Sequence, residues 1–131
     1  MRLINPTTTK AKMNTNPEVN AFIKRRTESN IKHYMGSSKE DIEARIKDLD
    51  YEWDTERILE LNFAVIILLT VFSGLFKSKI WLVISFFASV FMVQHSLQGW
   101  CPPLPVIRKL GFRTAAEIFE EKEAMQEMLY R

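Results

Sequence analysis

The sequence predicts an all-α membrane protein, a two-helix transmembrane hairpin flanked by cytoplasmic or interfacial amphipathic helices, and three observations predict it. From Leu61 to Phe76, eleven of sixteen positions are Leu, Ile, Val or Phe and none is charged. A second uncharged run opens at Ile80 and meets no charge until Arg108, with only Lys77-Ser78-Lys79 between the two. The flanks, by contrast, mix acids and bases along apolar stripes of helical period.

Sixteen to eighteen residues rising about 1.5 Å each span roughly 25 Å, slightly less than a ~30 Å hydrocarbon core. Lys77 and Lys79 in the turn, with Trp53, Trp81 and Trp100 at the borders, are the expected interface anchors that cover the difference. At about −0.3 to −0.6 kcal/mol per central aliphatic or Phe residue, insertion of the first run is favourable by several kcal/mol, which outweighs Asn62, Thr70 and Ser73. The hairpin region is set at 58–100, with helices at about 59–76 and 80–98.

Elements before the hairpin follow from local signals. Residues 1–16 are rich in Thr, Asn and Lys, which predicts a flexible or partner-ordered tail; they carry no apolar signal core, so the hairpin is the expected targeting signal, and Met13 is a second candidate start. Region 17–57 is read as amphipathic and helical. Asn16-Pro17-Glu18 predicts a helix entry, with the helix running to about Tyr34; its Lys24-Arg25-Arg26 run is a solvated face or a contact for anionic lipid. Gly36-Ser37-Ser38 breaks the chain, and Ser38 with Asp41, or Ser37 with Glu40, caps a second helix. Ile42, Ile46, Leu49 and Trp53 follow at spacings of four, three and four, a face expected to meet a partner or the membrane surface. Nothing between Trp53 and Arg57 forbids this helix from continuing into the first membrane segment.

Within the hairpin, small residues permit close approach: Thr70 and Gly74 on one helix, Ser85 and Ser89 on the other. Folding about Ser78 brings Asn62 level with Gln94 and His95, which predicts a hydrogen bond from Asn62 to one of them. His95 has two readings, a haem or metal ligand and a hydrogen-bonded boundary side chain; the second is favoured because the membrane segments supply no second axial ligand. After Gly99, residues 101–113 are expected to form a Pro-rich exit loop, since Pro102, Pro103 and Pro105 oppose continuation of the helix. Thr114 with Glu117 forms another capping box, opening a C-terminal amphipathic helix over 114–131 whose Ile118 and Phe119 are expected to face a partner.

The bulk numbers narrow the function classes. About fifty-odd residues before the hairpin and thirty-odd after argue against a large soluble catalytic domain. A net charge of +2 with mixed signs gives no footprint for nucleic acid. One cysteine, Cys101, allows no intramolecular disulfide and argues against a metal or iron–sulfur site built by this chain alone, and no cofactor is expected. Lys and Arg number eleven before the hairpin, two in its turn and five after it, which places both termini in the cytoplasm.

The segment Gln94-His95-Ser96-Leu97-Gln98-Gly99-Trp100-Cys101-Pro102, with Leu110-Gly111-Phe112-Arg113-Thr114 downstream and Glu56-Arg57 at the head of the hairpin, resembles the YgaP-like transmembrane domain family. The resemblance covers residues 56–114 and implies a multi-pass protein of the bacterial inner membrane. In some relatives this module follows a persulfide-carrying rhodanese domain, which this sequence lacks; Pro103, Pro105 and His95 depart from the family pattern. Cys101 is therefore a thiol candidate with two readings: a persulfide or crosslinking thiol, or a small residue wedged at a helix exit. The functional expectation is a non-catalytic accessory subunit whose hairpin meets lipid and larger membrane-protein subunits. The alternatives are a thiol carrier using Cys101 and a self-associating hairpin homodimer.

Overall fold

The computed structural model describes residues 4–131, which form seven helices in the order α1 (Lys10–Met13), α2 (Pro17–Tyr34), α3 (Lys39–Tyr51), α4 (Thr55–Phe76), α5 (Ile80–Gln98), α6 (Leu104–Lys109) and α7 (Ala115–Tyr130). Among the described residues there is no strand. Helix starts follow local chemistry. The Asn16 side chain accepts the Glu18 amide with Pro17 in the first turn, and Ser38 accepts from the Asp41 amide. Thr114 and Glu117 form the reciprocal capping box, satisfying two orphan amides at once. The chain does not run unbroken from α3 into the hairpin. Glu52 to Asp54 leave the helix, and Asp54 starts α4 by accepting from the Arg57 amide.

The two apolar helices pack against each other more extensively than any other pair. At 22 and 19 residues they measure about 33 and 28 Å, and both runs are long and apolar enough to cross a membrane. Their surfaces are inverted relative to a water-soluble bundle. Only 17% and 11% of the two most apolar windows is buried, while Leu68, Phe72, Leu75, Phe76, Ile80 and Phe86 point outward with more than half of their surface free.

The other helices gather at the end of the hairpin opposite its turn, as a compact head. Ile42 and Leu49 of α3 meet Ile118 and Met125 of α7, with Ile31 and Tyr34 of α2 at the edge. The expectation that Ile42, Ile46, Leu49 and Ile118 face a partner is thus corrected: these stripes bury one another. The spacing of apolar residues shows which side of a helix seeks cover, and three such helices in one chain can cover each other. Phe119 does remain exposed.

Two further expectations change. In the N-terminal tail, residues 4–16 do not hang free; residues 1–3 of that tail lie outside the described residues. The Asn5 amide donates to the Leu97 carbonyl, the Asn5 and Asn14 side chains donate to the Gln98 carbonyl, and Ala11 is buried in the same cluster as Leu59 and Cys101. The open carbonyls at the end of α5 supply partners that the tail's composition does not reveal. The Pro-rich exit contains α6, because Pro103 sits at the N-cap and Pro105 in the first turn, where a missing amide hydrogen costs nothing.

Candidate functional site

The sequence-derived motif residues meet where the hairpin joins the head. α5 ends at Gly99, in the left-handed conformation (φ 85°), and its amide caps the His95 carbonyl. A Cβ built there would fall 2.5 Å from the Lys10 carbonyl carbon and 2.7 Å from the Lys10 Cβ. Gly99 therefore serves two needs, the backbone turn and the close seating of α1. Trp100 packs edge-on to Phe91 at 6.4 Å between ring centroids and keeps about a third of its surface free. Cys101 is 0% exposed, enclosed with Ala11, Leu59, Leu104 and Ile107. Burial pushes its thiol above the ordinary value, only partly offset by the Leu104 amide. A protonated, enclosed thiol is a poor nucleophile.

Around this junction lies a layer of buried charge. Arg108 is 0% exposed, yet its guanidinium is almost fully used: Nε donates to Thr15 Oγ1 at 3.1 Å, Nη2 to Asn20 Oδ1 at 3.0 Å, Nη1 to the Phe112 carbonyl at 3.1 Å, and both terminal nitrogens to the Glu117 carboxylate at 2.6 and 3.1 Å. Arg113, also fully buried, forks onto Glu52 at 3.0 and 2.5 Å, reaches Thr27 Oγ1 at 3.2 Å and pairs with Glu121. Glu121 in turn accepts from Arg45 at 2.9 Å and Asn30 at 3.2 Å. Burial works against ionisation of Glu117 and Glu121, but the Arg108 pair and the Thr114 amide at the first, and the Arg113 and Arg45 contacts at the second, outweigh it and hold both carboxyls below the ordinary range. Burial likewise opposes the Arg113 charge, and its bonds to Glu52 and Glu121 more than compensate.

These two arginines tie α2, α3, α6 and α7 into one unit by directional, charge-assisted bonds. Their carboxylates are all engaged by guanidinium groups, which makes them holding groups rather than free bases. Sequence reasoning missed this layer. A signal exists: Glu117 and Glu121 lie one turn apart on the side of α7 that carries Ile118 and Met125, and an acid on a buried face calls for a cation.

The hairpin residues divide. Thr70 and Ser85 are buried between α4 and α5, and Gly74 sits against Leu82, where an added Cβ would come within 2.5 Å of Cδ2. Ser89 is exposed and donates to the Ser85 carbonyl of its own helix, so it lies outside that packing face. Asn62 and Gln94 are half-buried. The expected Asn62 bond is absent: among the described residues no hydrogen bond joins Asn62 to Gln94 or His95, and His95 Nδ1 is buried without a partner. Equal depth along two helices does not fix their rotation about their axes: His95 is buried, whereas Asn62 and Gln94 are half-buried. Among the described residues no cluster of three or more His, Cys, Asp or Glu could hold a metal ion.

At the borders, Trp53 is half exposed with the Arg57 guanidinium 5.8 Å from its ring centroid. Lys77, Lys79 and Trp81 are exposed at the turn. Compared with protein-family models, curated proteins and solved structures, the chain finds no match.

Proposed function

We propose that this chain is an integral membrane protein that acts as a non-catalytic accessory subunit, its hairpin spanning the bilayer and packing on larger membrane-protein subunits. The observation that carries the reading is the contrast between its two halves. The hairpin turns its large apolar side chains outward, a surface suited to lipid or to other membrane helices and costly in water. The head buries its apolar stripes and charges against itself, so the surface available for work belongs mainly to the hairpin. Within this proposal both termini are cytoplasmic, the membrane is the bacterial inner membrane, and the Gly99-Trp100-Cys101-Pro102 exit is the mark of a YgaP-like module. The motif has an architectural role here, seating α1 and α6, and the enclosure of Cys101 favours that role over thiol transfer.

The test is affinity purification of the tagged full chain in mild detergent, with mass spectrometry and a parallel thiol-state measurement. Stoichiometric recovery of larger membrane subunits, with Cys101 as a plain thiol, is the expected result. Recovery of the chain alone, or as a homodimer with Cys101 disulfide-linked or persulfidated, overturns it in favour of self-association or sulfur traffic.

A further inference from the structure

We infer that α6 is an interfacial helix whose outer edge, Val106 with Leu110, lies in the lipid surface beside the base of the hairpin. The inference rests on the hairpin being membrane-spanning and adds a second lipid contact to it. α6 buries three side chains in two directions. Leu104 and Ile107 join the hairpin-base cluster with Leu59 and Phe63, while Arg108 reaches into the head towards Thr15, Asn20 and Glu117. These contacts fix the rotation of the helix.

At about 100° per residue, Val106 and Leu110 fall on the exposed arc adjoining Ile107, the hairpin side. Pro105 and Lys109 fall on the arc adjoining Arg108, the head side. The apolar pair is 61% and 70% exposed, so the helix presents hydrocarbon next to the membrane helices and a lysine next to the head, the arrangement of a helix lying in an interface. On the head-side arc, Lys109 shares a shallow groove with Glu18, Val19 and Phe22 of α2. On the hairpin, Leu97 and Trp100 extend the outward apolar surface up to the start of the exit. A lipid surface fits this edge because Ile107, beside it on the helix, packs into the hairpin base with Leu59 and Phe63, and because Lys109 on the other arc suits headgroup phosphates.

The experiment places an environment-sensitive fluorophore at single cysteines, V106C, L110C, K109C, F72C or Y130C, in the full chain carrying Cys101→Ala. If that background folds poorly, the native background serves, since Cys101 is buried. Each protein is reconstituted in vesicles of phosphatidylcholine and phosphatidylglycerol containing lipid quenchers at shallow or deep positions. Labels at 106 and 110 are expected to be quenched at least several-fold more by the shallow quencher than the label at 130, with 109 between them, and the label at 72 by the deep quencher. Labels at 106 and 110 as free of quenching as 130, with 72 quenched, refute the interfacial helix and leave the hairpin reading intact. Loss of quenching at 72 as well refutes the hairpin reading itself. Protection of 106 and 110 only when a co-purified protein is added back assigns the edge to a protein and also overturns the inference.

Discussion

Replacing Gly99 with alanine should release the N-terminal segment from the hairpin and open Cys101 to reagent. Two effects add. An alanine held at φ 85° incurs a left-handed penalty of about 1–2 kcal/mol. Its Cβ would also meet backbone atoms of Lys10 at 2.5 Å, and backbone cannot swing aside as a side-chain tip can, so α1 must lift. The Asn5 and Asn14 bonds to the end of α5 are lost on opening in the wild type and the variant alike, so they cancel in the comparison and the strain and overlap decide it. About 2 kcal/mol in total is a roughly thirty-fold larger open population. The assay is the rate of Cys101 modification by a maleimide in detergent micelles or nanodiscs, in the regime where closing outpaces labelling. Gly99→Asn separates the two effects, because asparagine tolerates the left-handed region but still carries a Cβ. Both variants should label faster than the wild type. If Gly99→Asn labels at the wild-type rate, the close seating of α1 is refuted; if both do, Gly99 plays neither role.

Removing both members of the buried Arg113–Glu121 pair should cost less than the two single removals added together. Arg113→Met leaves Glu121 buried with Arg45 as its remaining cation, a loss of about 3 kcal/mol, while Arg113→Met with Glu121→Leu should cost less than the sum of the two singles; urea-induced unfolding of the head measures the cycle, and additivity would refute the coupling. Acid should loosen the head. Glu117 and Glu121 titrate below their ordinary value of 4.5 when folded, so their contribution is fully present above that pH and is lost as pH falls below it through the folded values. Burial shifts the Glu56 carboxyl upward, which works in the opposite sense as pH falls, so the test compares the wild type with Glu117→Gln plus Glu121→Gln: the fall of the urea midpoint between about pH 5 and about pH 3 should be larger in the wild type, and an equal pH dependence in both contradicts the pairing. In the hairpin, Gly74→Ala presses on the Leu82 side chain, which can rotate, so helix association measured by steric trapping should weaken by about 1 kcal/mol or less. Gly74→Ile should weaken it further, and Leu82→Ala should relieve both. Indifference to all three would place the packing face elsewhere.

What was legible in the chain is what depends on neighbours in sequence. The two apolar runs, the Lys77-to-Lys79 turn, the caps at Asn16, Ser38 and Thr114 and the left-handed Gly99 all follow from short-range hydrogen bonding, propensity and hydrophobic pattern. The α3 stripe was legible as apolar but not as covered, because the period of a pattern gives a direction and no address. Asn62 and His95 show the same limit in the two apolar helices: level along the axis follows from counting residues, whereas azimuth depends on how Thr70, Gly74 and Ser85 let the helices meet. Cys101 is the sharpest case. Its motif and spacing suit both thiol chemistry and a helix exit, and its enclosure by Ala11, Leu59, Leu104 and Ile107 is invisible in both. Sequence by itself determined the helical class, the hairpin and where the chain turns. The tertiary structure decided which side chains are hidden, above all Arg108, Arg113, Glu117 and Glu121, because burial of a charge is possible only when partners from distant segments arrive together to replace its water.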